Sequence, residues 1–145
     1  MLGRNRIAVT TFILIALAGG VCGSARARLQ TEPSVRPDQI RVLVLNGTHR
    51  LGLAARISAE LAKRGFVIQR LGDNGVPNAP DTVRLTQIDF DGAQPNALRA
   101  AEQLRRVFGR RTVVTPITKP IEKVAERAGR PLVVIVIGST FHGLA

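Results

Sequence analysis

The sequence predicts an α/β domain built from two βαβ units, a short helix and a final buried strand, with helices packed on a mixed sheet. Three observations carry that prediction. Two short strand-like runs end in turn dipeptides and lead into amphipathic stretches: Ile40–Leu45 before Asn46-Gly47, and Thr82–Phe90 before Asp91-Gly92. The two units match in length, with 18 residues from Gly47 to Gly65 and 17 from Gly92 to Gly109. Finally, Leu132–Ile137 shows no polar alternation, as expected for a central strand covered on both faces. The wiring is left open at this level, and a ferredoxin-like split βαβ arrangement is one option. Duplication and coincidence explain the two units equally well.

Each element has its own signal. After the first strand, Leu53, Ile57 and Leu61 repeat at helical spacing with Ala54 and Ala62 beside them, and Arg56, Glu60, Lys63 and Arg64 lie outside. Gly65 followed by Phe66 reads as a C-terminal cap, and Phe66–Ile68 as the next strand. Leu71–Asp81, rich in Gly, Asn and Pro, reads as a long loop. In the second unit Thr82–Phe90 alternates as a strand with a phase slip between Leu85 and Ile88. Pro95 suits the first helical position, with Ala97, Leu98, Ala101, Leu104 and Phe108 as the buried stripe and Gly109 as the cap. Thr112–Thr115 is the following strand, and Pro120–Ala128 is a two-turn helix stopped by Gly129 and Pro131.

Composition narrows the function. The 145 residues carry 21 Lys+Arg against 10 Asp+Glu, a net charge of +11, and are 45% apolar, too much for a disordered tail. A single Cys excludes a disulfide framework or thiolate zinc site, and two His with few acids give no metal or acid/base cluster. With five Phe and no Trp or Tyr, stacking platforms for sugars or single-stranded nucleic acid are not expected.

The N-terminus has its own organisation. Residues 7–25 carry no charge and lie between Arg4/Arg6 and Arg26/Arg28. As a helix they would span about 28 Å, close to a bilayer core. Residues 1–27 therefore read as a transmembrane anchor or a signal segment, with Ala25-Arg-Ala27 as a weak cleavage site. Gly19-Gly20-Val21 before Cys22 is a poor lipidation signal. Arg26, Arg28, Arg36 and Arg41 after the span would hold the domain in the cytoplasm by charge counting, whereas a short basic N-terminus favours export. Residues 28–39, with Pro33 and Pro37, read as a linker, and 40–145 as the folded domain.

No catalytic or metal-ligating constellation emerges, and no cofactor is expected. The turn Asn46-Gly47-Thr48-His49-Arg50-Leu51-Gly52 has the glycine spacing of a phosphate loop and opens a helix. Leu53-Ala54 stand where such a loop needs Lys and Ser/Thr, so nucleotide hydrolysis is not expected. Asn46, Gly47, Thr48, Arg50 and Gly52 remain either a helix-capping turn or an anion site. Asp89-Phe90-Asp91-Gly92 has the start of a calcium loop without its later ligands, and reads as a strand end. Arg105, Arg106, Arg110 and Arg111 form a basic cluster around a helix end. No helix-turn-helix or other nucleic-acid reader accompanies it. His49 and His142 have no Ser, Cys or carboxylate at a catalytic spacing.

The segment from Ile40 to about Phe141 resembles the LytR C-terminal domain of LytR/CpsA/Psr and stand-alone cell-envelope proteins. Val42-Leu-Val-Leu-Asn-Gly-Thr48, Gly52-Leu-Ala54, the Leu61…Gly65-Phe66-Val67 step, Thr86-Gln-Ile88, Ala97…Ala101…Leu104 and Val134-Ile-Val-Ile-Gly138 carry the resemblance. Family members often continue with Lys/Arg-Asp-Tyr/Phe, whereas Ser139-Thr140-Phe141 follow here, so no role of that Asp is transferred. The resemblance implies an extracytoplasmic domain on one N-terminal span in the cytoplasmic membrane, or a secreted domain if the span is cleaved. In larger relatives a separate domain transfers glycopolymers; this chain has no room for it. The expectation is a non-enzymatic envelope module, membrane-tethered through residues 7–25, that binds an anionic envelope polymer or another envelope protein. A phosphate- or nucleotide-binding protein using the Gly47–Gly52 turn is the alternative, and a nucleic-acid-binding protein is a second.

Overall fold

The computed structural model describes residues 34–71 and 78–145, within a compact unit running from Glu32 to Ala145. The element order is β1 (Arg41–Asn46), α1 (Leu53–Lys63), β2 (Val67–Gln69), β3 (Gln87–Phe90), α2 (Ala97–Phe108), β4 (Val113–Pro116), α3 (Lys119–Arg127) and β5 (Val133–Ile137). A 3-10 turn, Pro37–Gln39, precedes β1, and Val35 packs against the core, so the folded unit takes in the last residues of the expected linker. The expected membrane segment at residues 7–25 lies outside the described residues. Among those described, no helix is long and apolar enough to cross a membrane.

One five-stranded sheet has the order β2-β1-β5-β3-β4. β1 pairs parallel with β2 and β5, β3 parallel with β4, and β3 antiparallel with β5. Both βαβ units therefore keep their strands side by side. The ferredoxin-like option, which splits each unit by an intervening strand, is not the wiring taken. Instead β5 comes last and closes the gap between the two units.

β5 explains its own unbroken apolarity. Val133, Ile135 and Ile137 join Val42, Val44 and Ile88 under α1 and α2, in the larger core. Val134 and Val136 join Leu43 and Leu45 under α3, on the opposite face. The result is three layers, two helices on one side and one on the other.

The glycines end the helices as the sequence suggests. Gly65 has φ +89°; its N–H donates to the Ala62 carbonyl and that of Phe66 to the Leu61 carbonyl, the paired bonds of a Schellman cap. Gly129 and Arg130 close α3 in the same way on Glu126 and Ala125.

Three details depart from expectation. The first strand of the second unit, β3, begins at Gln87, not Thr82. Residues 83–86 cross the ends of β1 and β5: Val83 N–H donates to the Gly47 carbonyl, and Ser139 and Thr140 N–H donate to the Val83 and Arg84 carbonyls. The phase slip in the alternation marks that change of direction. Pro95 sits ahead of α2, which starts after Asn96 in the left-handed conformation (φ 66°). That start rotates Leu98 to 51% exposure and brings Ala100 into the buried stripe.

The two outer strands are short or interrupted. β2 has three residues. In β4 the N–H groups of Val113 and Ile117 donate inward to the Thr86 and Phe90 carbonyls, so Val114 and Pro116 face outward. Proline thus occupies a position where its missing N–H costs the ladder nothing.

Candidate functional site

The strand registers align the ends of β1 and β5 with the starts of β3 and β4: Asn46 pairs with Ile137, Gln87 with Val136, and Gln87 with Val113. The loops after β1 and β5, and those before β3 and β4, therefore gather at one end of the sheet. The chain enters at the other end, where β1 begins.

At the gathered end the Asn46–Gly52 turn is closed upon itself. The Asn46 amide nitrogen donates to the Arg50 carbonyl at 2.8 Å. Its amide oxygen accepts from the Thr48 N–H at 3.1 Å and the Thr48 hydroxyl at 2.8 Å. The Thr48 hydroxyl oxygen in turn accepts from the Arg50 N–H at 3.0 Å, and the Gly47 N–H donates to the Ile137 carbonyl. Three of the turn N–H groups that a phosphate cradle would present, those of Gly47, Thr48 and Arg50, are committed within the protein. Gly52 caps α1 with φ +70° and no side-chain bond, so neither Asn46 nor Thr48 is the helix cap. Gly47 is required for close approach: a Cβ there would stand 2.9 Å from the Ile137 carbonyl oxygen and 2.8 Å from Val83. His49 and Leu51 (96% exposed) sit at the tip, beside a shallow cavity of about 330 Å³ shared with residues 78–82.

The basic cluster forms a larger feature. Arg105, Arg106, Gly109 and Arg110 line a cavity of about 540 Å³. Gly109 and Arg110 also border a second, of about 290 Å³, which reaches Arg111, Thr140 and His142 over Phe108 and Phe141. Arg111 and Thr140 continue into a third, of about 270 Å³, with Arg84 and Leu85. Shared walls make these one groove with five arginines and, among the described residues, no carboxylate. Arg105 is held by Glu102 at 2.8 Å. Arg105 and Arg106 in the last turn also complement the dipole of α2. The Phe rings lie 5.7 Å apart and are buried, so they floor the groove without offering a stacking face.

The two sequence-derived candidate sets thus share one end of the sheet but line separate cavities. Sequence reasoning missed Arg84, Thr140 and His142 in the groove. Arg84 joins Arg111 through the Arg84–Thr140 backbone bond and the β3–β4 register, neither of which leaves a local sequence signal.

Asp89, read from the sequence as part of a strand end, is 1% exposed within β3. One of its carboxylate oxygens has no hydrogen-bond partner among the described residues, and burial pushes its pKa up to about 6. No group of three His, Cys, Asp or Glu among the described residues could hold a metal ion.

The family model described as LytR cell envelope-related transcriptional attenuator matches residues 39–141. The chain belongs to this family. No curated protein matches it. Two solved structures are similar to it. One is the soluble domain (residues 71–217) of a conserved hypothetical secreted protein, the Rv2700 ortholog, from Mycobacterium marinum. That match has 23% identity and a TM-score of 0.49, and covers 75% of this chain and 65% of that chain, just under two thirds of its length. The other is the C-terminal domain of RV0431, at 18% identity and TM-score 0.40, covering 94% of this chain and 95% of that one. The LytR_C assignment bears out the resemblance drawn from the sequence and associates the domain with the cell envelope.

Proposed function

We propose that this chain is a non-enzymatic accessory module of the cell envelope, tethered through residues 7–25 with its domain outside the cytoplasmic membrane, where it binds an anionic envelope polymer or another envelope protein. The observation that carries the reading is the five-arginine groove without a carboxylate, on a domain of an envelope family. Guanidinium groups hold carboxylates and phosphates in forked pairs, and a run of them in which Glu102 engages Arg105 while no acid joins the lining favours a polyanion. The groove also lies at the sheet end opposite the start of β1. The internally bonded Asn46–Gly52 turn gives no comparable support to nucleotide binding.

Retention on a purified cell-wall fraction at low and high salt tests the reading. Binding at low salt that weakens as salt rises is expected. Absence of retention at low salt removes the polymer reading, and a domain protected from external protease in spheroplasts removes the envelope location.

A further inference from the structure

On the sheet face under α3 the apolar packing stops at β3, whose buried Asp89 lies on that face, and the β4 margin beyond it is exposed. The core on that face draws strand residues from β1 and β5 (Leu43, Leu45, Val134 and Val136), and none from β3 or β4. Val114 packs into the opposite core, so its neighbours Val113 and Thr115 face the α3 side. Val113 is 43% exposed there. Leu85, 40% exposed, lies at the adjoining end of the sheet between Arg84 and Arg111 in the groove lining. The Val113 N–H to Thr86 carbonyl bond ties these two apolar positions together.

We propose that the Leu85–Val113 patch and the Arg84/Arg110/Arg111 groove together dock an acidic segment of another protein in which apolar residues interrupt the carboxylates. The inference rests on the envelope reading above and chooses between its two partners. A phosphate polymer would satisfy the arginines but leave Leu85 and Val113 wet. A flat bilayer does not follow a concave groove, and sugar or base stacking needs an aromatic face that Phe108 and Phe141 do not offer. An acidic, leucine-bearing peptide satisfies both halves, because arginine forks take its carboxylates and the patch takes its apolar side chains. Docking is through side chains, since Pro116 removes an outward donor that an added strand would need.

The full chain in detergent is titrated with a labelled peptide of repeated Glu-Leu-Glu-Ser units, the same peptide with serine in place of leucine, inorganic polyphosphate, and vesicles of anionic phospholipid. The leucine peptide is expected to bind about tenfold more tightly than the serine peptide, from the burial of its apolar side chains. Arg111→Glu weakens it by about tenfold or more. Val113→Ser weakens it by about threefold while leaving polyphosphate binding unchanged, and its urea midpoint shows that it folds. Equal binding of the two peptides, preference for polyphosphate or vesicles, or indifference to Val113→Ser overturns the proposal. If the cell-wall fraction is still retained in that case, only this docking mode falls. If nothing anionic is retained at low salt, the polymer reading falls with it.

Discussion

Gly138 is a residue with no room for a side chain. A Cβ there would overlap the Leu85 carbonyl carbon and stand 2.6 Å from the Arg84 carbonyl oxygen. Gly138→Ala must therefore push segment 84–86 off the end of β5, at a cost of about 1–3 kcal/mol measured by urea unfolding. Because that segment carries Arg84, the same variant should also lose affinity for polyanions, which a core substitution elsewhere would not. Asp89 makes a different prediction. Its carboxyl is raised from 3.8 to about 6 by burial, so the folded state prefers it protonated. The stability it contributes is fully present below about pH 3.8 and is lost as pH rises through 6. Asp89→Asn should then be more stable than the parent at pH 7, by up to about 3 kcal/mol, with the gap closing near pH 4. A gap in urea midpoints that is constant with pH would refute this. Neither residue could be weighed from sequence. Alternation tells which face Asp89 takes, but not that one of its carboxylate oxygens finds no partner there. Likewise, nothing near Gly138 in the chain signals the crossing of residues 84–86.

Helices were the most legible elements, because their signal is local. The stripe Leu53, Ala54, Ile57, Leu61 is buried as the 3.6-residue period requires, and so are Ala97, Ala101, Leu104 and Phe108. The exception, Leu98, follows from where α2 starts, and a proline two residues ahead of a helix resembles one at its first position. Two substitutions in α2 separate these roles. Leu104→Ala, deep in the main core, should cost about 2–5 kcal/mol. Leu98→Ser should stay within about 0.5 kcal/mol. Thermal unfolding followed by circular dichroism ranks them, and equal losses would contradict the assigned faces. Strands were harder to read where their partners lie far off in the chain. Residues 82–86 alternate like a strand, yet their hydrogen bonds go to the tips of other strands rather than along one, so the alternation misleads about pairing and, at Leu85, about burial: Leu85 is exposed while Thr86 is buried.

For the whole molecule, the two βαβ units prove to share more than length. β1 and β3 run in opposite directions with their helices on the same side of the sheet, so a two-fold axis perpendicular to the sheet relates the units. Each also opens its helix with the same device. Asn46 and Asp91 accept from the N–H two residues on, and Gly52 and Asn96 precede their helices with φ near +70°. The sequence showed the matched glycine spacing; the shared turn geometry needed coordinates. It also could not show that Arg84 shares a cavity wall with Arg111, since the Arg84–Thr140 backbone bond and the β3–β4 register bring them together. Arg84→Glu combined with Arg110→Glu should abolish low-salt retention on a cell-wall fraction, whereas Lys119→Glu with Lys123→Glu, on α3, should leave most of it. Equal loss in both pairs would make the interaction one of net charge alone. The blunt sheet margins bear on how such domains live side by side. Under the tether proposed above, many copies would share a thin layer at high local density, where exposed sheet edges would zip into fibres. With β2 only three residues long and Pro116 turned outward from β4, neighbouring copies would find little backbone to pair with, so that crowding would leave each domain a separate unit.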